Sequence, residues 1–439
     1  MKKKWVIQIL LLITTAQALM FAQATQQSVV LDIAMVEALV ISNNVNYKIA
    51  QMNFAQAKRE RNSMWNEFLP TVSAGVTANS YADTAGYDPW TATMRLDAVL
   101  DLSGWVWMSM IKTQRDYETG AITYELAQQK LITGARTAFY NLLLSEEKLM
   151  LARETTEVAR GNMQQKQRNF NSGMAQQLDL LNAQVTFENE SNRYEEARTT
   201  HEELIMSFKH LLGLPLAQPI ELKGSIDVDT VPFNAQRLIA AFKGRDLEVL
   251  QALAQKDAQA WQVWESHAQQ FLRPFAKASY TYFSPTTTSN QHLNNNLILT
   301  LGVNMSLDAM LPYSKNGLSL WAQRDALKEK TMMTEDQLVQ NEIAIINQAN
   351  KLNDISSRMT SLNNAVRVSQ TALDLTITGF RQGVRTQLEV DTAINNRNVA
   401  QINLSEARFN YFKALQQLSI TTNQSIYSLL RFARLTNTQ

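Results

Sequence analysis

Apolar residues recur along most of the chain in alternating steps of four and three. One run passes through Leu131, Ala135, Ala138, Leu142, Ser145 and Leu149 and continues to Phe170. A second passes through Ile345, Gln348, Leu352, Ile355, Met359 and Leu362 and continues to Phe380. A mean step of 3.5 residues is the repeat of a left-handed coiled coil. Each run ends three residues before a glycine, Gly173 or Gly383, and resumes beyond it through Leu180, Ala183 and Phe187 or Val390, Ala393 and Arg397. Glycine at the break suits the left-handed conformation that closes a helix tightly. The pattern predicts two long antiparallel helical hairpins with turns at 172–174 and 382–384. From Trp105 to Asn171 the rod would extend roughly 100 Å, longer than a globular core of this mass requires. Gly120, Gly134 and Gly161 interrupt it at about 1 kcal/mol each relative to alanine, so bending or packing is expected there.

Between the helical runs the period changes to two. Trp90, Ala92, Met94, Leu96, Ala98, Leu100 and Leu102 alternate with Thr91, Thr93, Arg95, Asp97, Val99 and Asp101. Leu297, Leu299, Leu301, Val303, Met305 and Leu307 alternate with Ile298, Thr300, Gly302, Asn304, Ser306 and Asp308. Weaker alternation at Val72–Ala78 and Ala276–Tyr282 completes four strands, about 71–81, 90–102, 275–283 and 296–308. About ten residues is the height of a tilted transmembrane β-strand. Alternation alone fits a soluble sheet on a core more simply. The polar segments Tyr81–Pro89 and Ser284–Asn295 would form loops suited to the cell exterior. Four strands cannot close a membrane barrel, for which about eight is the minimum, and an open edge in lipid is prohibitive. Membrane strands here would therefore require several chains to share one barrel, with the helices continuing its lumen.

The chain repeats itself at an offset of 210 residues. Phe170-Asn171-Ser172-Gly173 is echoed by Phe380-Arg381-Gln382-Gly383, Ala183 by Ala393, and Glu196-Ala197-Arg198 by Glu406-Ala407-Arg408. Agreement at many positions in one register indicates an internal duplication. The organisation predicted is a signal segment at 1–24, a first repeat at 25–219, a second at 220–423 and a tail at 424–439 that forms a short packing helix. The signal is read from Lys2, Lys3 and Lys4 ahead of an apolar stretch from Trp5 to about Leu19 and small residues near Ala24, the grammar of secretory export.

Composition narrows the function. Lysine and arginine (41) balance aspartate and glutamate (40), leaving no basic excess for a nucleic-acid backbone. With no cysteine, disulfides, thiolate metal sites and a lipid-bearing N-terminal cysteine are excluded. His201, His210, His267 and His292 are dispersed without metal-ligand spacing, and His201 reads as a spacer on the helical seam. No phosphate loop or nucleophile elbow is present. Neither an enzyme nor a cofactor is expected. Trp90, Trp105, Trp107, Tyr280 and Tyr282, near strand ends, fit interfacial anchors or plain core aromatics.

The residues resemble the TolC-type outer membrane efflux family over nearly the whole mature chain. Leu31-Asp32-Ile33 through Asn43-Asn44, Trp65-Asn66-Glu67-Phe68-Leu69-Pro70, Ala138-Phe139-Tyr140-Asn141-Leu142-Leu143 and Leu211-Leu212-Gly213-Leu214-Pro215 are similar to its signatures. The aromatic-x-x-Gly turns followed by Leu-Asp or Leu-Glu are the most specific match. The resemblance implies a mainly α fold with a membrane β-barrel portion. Each chain would supply four transmembrane strands to a twelve-stranded barrel completed by a homotrimer, set on a long α-helical tunnel. It further implies an exit duct through the outer membrane, coupled by a periplasmic adaptor to an inner-membrane transporter. Gly173, Met174, Gly383 and Val384 are then candidate adaptor-docking tips. Asp179, Arg385, Glu389 and Asp391 are candidates at the periplasmic entrance, although Thr392 stands where the family pattern has its second acidic residue. Without a pore, the same hairpins would make an exported soluble coiled-coil scaffold or adhesin. For Asp179 and Glu389 the plainer role is to complement the dipole of the returning helix.

Overall fold

The computed structural model describes residues 28–79, 91–226, 229–270, 272–285, 296–305, 311 and 313–437. The predicted signal at 1–24, most of both exterior loops, Trp90, His292, Ser306, Leu307 and Asp308 lie outside the described residues. Strand β1 (Val29–Leu31), helices α1 (Ile33–Asn43) and α2 (Val45–Asn62) and a short 3-10 turn at Met64–Phe68 lead into strands β2 (Thr71–Asn79) and β3 (Thr91–Asp101). Helix α3 (Gly104–Asn171) runs for 68 residues, and α4 (Gln177–Leu212) returns for 36. Strand β4 (Ile220–Leu222), helices α5 (Ala235–Phe242) and α6 (Leu247–Ala268) and strands β5 (Arg273–Pro285) and β6 (Asn296–Asn304) then precede α7 (Lys315–Arg381) and α8 (Gln387–Thr422). These last two helices are 67 and 36 residues long. Helix α9 (Ile426–Asn437) ends the described chain.

Local chemistry fixes the ends of these elements. Asp32 caps α1 by accepting from the Met35 backbone N–H at 2.7 Å, and Ser314 caps α7 through the Gly317 N–H at 3.0 Å. Gly173 (φ 75°) and Gly383 (φ 74°) take the left-handed conformation at the two hairpin turns. The backbone N–H groups of Met174 and Val384 reach back to the carbonyls of Asn169 at 2.8 Å and Gly379 at 2.9 Å. That is the closing bond of a Schellman turn. Of the three glycines inside α3, Gly120 packs against Ala57 of α2, while Gly134 and Gly161 face open space.

Strands β2, β3, β5 and β6 form one antiparallel sheet in that order. The register puts Thr71, Ser73, Arg95, Asp97, Lys277, Ser279, Thr281 and Thr300 on one face. The other carries Val72, Val76, Met94, Leu96, Tyr280, Leu297, Leu299, Leu301 and Val303. Among the described residues nothing packs on that apolar face: Val72 is 67% exposed, Leu299 76% and Leu301 84%. A soluble sheet would have buried it. Gly302 lies under the ring of Phe275, where an added Cβ would come within 2.6 Å of the ring.

A two-stranded parallel pairing of β1 with β4 joins the start of the described chain to its middle. The buried apolar residues form two cores, and this pairing belongs to the first. One gathers Leu31, Val36, Val40, Phe139, Leu142, Phe208 and Leu212. The other gathers Leu238, Ile345, Leu352, Tyr411, Leu415, Leu418 and Leu429, the last of them from α9. Two buried asparagines tie the breaks between opening helices to the ends of the returning ones. The Asn44 amide donates to the Leu211 carbonyl at 2.9 Å, and the Asn341 amide to the Thr421 carbonyl at 2.9 Å. The two carbonyls stand at the repeat offset, although the donors come from different helices. Among the described residues no helix is long and apolar enough to cross a membrane.

Candidate functional site

The two hairpin tips project from the ends of long rods, and their turn residues are bare: Met174 is 75% exposed and Val384 73%. Leu178 and Leu388, just beyond each turn, are also exposed. An apolar side chain held in water at the end of a rod is poised to meet another surface.

Behind this common plan the tips differ. At the second tip, Thr386 and Glu389 form a complete capping box. The Thr386 backbone N–H donates to Glu389 Oε2 at 2.7 Å, and Arg385 Nη1 meets Glu389 Oε1 at 2.7 Å. The Thr386 N–H first, then the Arg385 guanidinium and the Thr386 hydroxyl, hold the Glu389 carboxyl below its ordinary range. The stem of Arg385 lies across Gly379, where any Cβ would come within 2.7 Å of it. At the first tip the equivalent places are taken by Asn169, Ala175 and Gln176. Gln176 makes no side-chain cap, and Asp179 sits exposed in the first turn of α4. The structure thus joins Arg385 to Glu389, while Asp179 bonds to none of the other entrance candidates.

Asp391 faces neither solvent nor tip. It is half-buried against α3, where its Oδ2 accepts from Asn162 Nδ2 at 2.8 Å and its Oδ1 from Gln387 Nε2 at 2.8 Å. Burial pushes its carboxyl above the usual range, against the lowering effect of Gln387. Asp391 opens a polar seam between the two hairpins. Farther along it, Arg397 meets Glu154 at 2.6 Å, Asn398 meets Thr155 at 3.1 Å, and Gln401 meets Glu147 at 3.0 Å. Lys148 meets Glu406 at 2.5 Å, and Thr137 meets Gln416 at 3.0 Å. Several buried polar atoms on this seam have no partner among the described residues: Asn162 Oδ1, Asn398 Oδ1, Arg397 Nε and Gln416 Nε2. Heptad reading had placed Arg397 within its own hairpin. It gave no signal for Asn162 or Thr155, because polar residues flanking a seam look alike whether they face water or a second hairpin.

His201 takes the seam position opposite Ser145, whose hydroxyl lies 2.8 Å from its Nδ1. Burial lowers its pKa despite the neighbouring Glu146 and Glu202. Among the described residues no group of three His, Asp or Glu side chains is arranged to hold a metal.

Comparison with known proteins agrees with this architecture. The family model for outer membrane efflux proteins matches residues 38–213. The chain is 23% identical over 380 residues to the outer membrane protein TolC of Escherichia coli (strain K12), covering 82% of this chain and 75% of that protein. It is 22% identical over 376 residues to the alkaline protease secretion protein AprF of Pseudomonas aeruginosa, covering 82% and 74%. In fold it is similar to the Campylobacter jejuni CmeC outer membrane channel, with a TM-score of 0.74, 12% identity and coverage of 91% and 89%. With duplicated hairpins, a bare amphipathic sheet and these relatives in agreement, the chain is similar in sequence to TolC-type outer membrane proteins and carries the outer membrane efflux protein match over residues 38–213.

Proposed function

We infer that this chain is an outer membrane exit duct for efflux or secretion, its sheet in the membrane and its helices forming a tunnel in the periplasm. The sheet carries the inference. Its apolar face is exposed from edge to edge, while every charged residue of its four strands stands on the opposite face. Lipid on one side and a water-filled lumen on the other satisfy both at once. Among the described residues the rival scaffold has no element that covers the apolar face.

Strands β2 and β6 have free edges among the described residues, and lipid does not tolerate free edges. Three copies joining β2 to β6 would close a twelve-stranded barrel and place three pairs of hairpins around one axis. In this assembly residues 1–24 are a signal removed on export, and 25–219 and 220–423 are the two repeats. Gly173, Met174, Gly383 and Val384 dock a periplasmic adaptor, itself coupled to an inner-membrane transporter. Asp179, Arg385 and Glu389 face the entrance, and Asp391 steadies the second hairpin against the first. The duct is passive, neither an enzyme nor a cofactor protein, and its lipid partner is the outer membrane.

Purified protein in planar lipid bilayers should give stepwise ion currents, and in cells it should fractionate with the outer membrane and resist carbonate. Protein that washes off in carbonate and conducts nothing would restore the scaffold. Bulky charged residues at Gly383 and Val384 should abolish export while leaving the extracted assembly intact. Unchanged export would remove the docking role.

A further inference from the structure

The four strands carry five charged side chains in their described residues: Arg95, Asp97, Asp101, Arg273 and Lys277. The register places all five on the polar face. Four of them are paired. Lys277 Nζ lies 3.1 Å from Asp97 Oδ1, and Arg273 Nη2 lies 3.1 Å from Asp101 Oδ2. Asp97 also accepts from the Ser279 hydroxyl at 2.6 Å, and Asp101 from the Trp105 indole at 2.9 Å. Both carboxylates are therefore committed to neighbours on the sheet or at the start of α3.

Arg95 is the exception. No carboxylate among the described residues comes within ion-pair distance of it, and its side chain is exposed. Across the ladders it faces Gly75 on one side and Thr281 on the other, and the space above Gly75 is empty. Among the described strand residues three cations stand against two carboxylates on this face, and the cation without an ion-pair partner there is Arg95.

We propose that Arg95 sets the ion preference of the barrel section, drawing small anions and anionic solutes into the lumen and holding cations back. The proposal rests on the reading that the polar face lines a closed pore. Three copies would set at one height three guanidinium groups that have no ion-pair partner among the described residues. A ring of like charge in a confined aqueous passage concentrates its counter-ions. Arginine stays charged at every working pH, so the preference should not titrate. It should weaken with salt, because the screening length shrinks from about 10 Å at 0.1 M to about 3 Å at 1 M.

The test is the reversal potential of the purified full-length protein in planar bilayers across a potassium chloride gradient, at 0.1 M and at 1 M on the dilute side. Wild type is compared with Arg95→Lys, Arg95→Gln and Arg95→Glu, each first shown to form the same assembly on a native gel. Expected is a shift toward the potassium potential in the order Gln then Glu. The chloride-to-potassium permeability ratio should fall several-fold for Glu at low salt, on the order expected for a focusing charge ring. Arg95→Lys should keep the wild-type value. A reversal potential identical in wild type and Arg95→Glu at low salt, with current flowing in both, overturns the proposal and leaves the duct standing. Absence of current in every variant instead overturns the duct.

Discussion

The two returning helices are the same length and occupy the same place in each repeat, yet they live in different surroundings. Helix α4 buries only Leu180, Ala183, Phe208, Lys209 and Leu212, all near its ends. Helix α8 buries Leu404, Tyr411, Phe412, Ala414, Leu415 and Leu418 among others along its second half. The cause is position. Helix α8 lies between α7 and α3 and is covered further by the cluster that α5 and α9 help to build. Helix α4 packs chiefly on α3, and its remaining faces are open from Phe187 to His201. Duplication copied the rod but not its neighbours. An open face 15 residues long in one repeat, together with a sheet that has two free edges among the described residues, fits the proposed assembly of several copies.

Substitutions at matched positions should separate the two surroundings most sharply. Tyr411 and His201 are repeat equivalents. Tyr411 is fully buried, and its hydroxyl accepts from the Val231 N–H at 3.1 Å. Tyr411→Ala should cost about 3–5 kcal/mol by cavity formation and loss of that bond. His201→Ala should cost about 1–2 kcal/mol, as for a half-buried polar residue losing one hydrogen bond. Urea unfolding of the purified variants measures both, and equal costs would erase the difference between the helices.

Smaller effects come from titration. His201 and His267 both have pKa values lowered by burial, with Arg324 adding to the effect at His267. The folded state therefore binds fewer protons than the unfolded chain. Stability should be complete above about pH 6.5 and fall as pH drops below it. His201→Gln should flatten that slope in a melting series from pH 7.5 to 5. Asp391 has the opposite sign. Its raised pKa means that ionisation opposes folding, so Asp391→Asn should raise the melting temperature at pH 7. The gain should vanish below about pH 4, where the wild-type carboxyl is protonated in both states.

The smallest effect concerns the tips. Thr386→Ala removes a capping box and should cost about 1 kcal/mol. Gln176→Ala, at the matching position of the first hairpin, removes no cap and should cost nothing measurable. A melting comparison of the two settles whether the second tip is the more firmly built.

Much of the architecture was legible because periodicity carries it. A 3.5-residue step maintained to Phe170 and Phe380 leaves no alternative to long helices, and alternation at Leu297–Val303 leaves little alternative to a strand. Other features left no such trace. Strands β1 and β4 are three residues each, too short for a period to show. The breaks at Asn44 and at Lys243–Asp246 were hidden because asparagine, lysine and aspartate are as ordinary inside an exposed helix as at its cap. Whether the sheet had a core behind it depended on what lay near in space, which alternation does not encode. At the tips, chemistry was legible but partnership was not. Asp391, an entrance candidate by its place in the sequence, gave no sign of the hydrogen bond it accepts from Asn162.

The central claim is that three open sheets close into one barrel through β2 and β6, and the absence of native cysteine makes it directly testable by crosslinking. One cysteine placed in β2 at Ser73, combined in turn with one in β6 at Ile298, Thr300 or Gly302, should give disulfide-linked species under oxidation in the outer membrane. The account expects a denaturing-gel ladder that ends at three chains for at least one pairing. Chains that remain single at every pairing, or a ladder that runs past three, would contradict it.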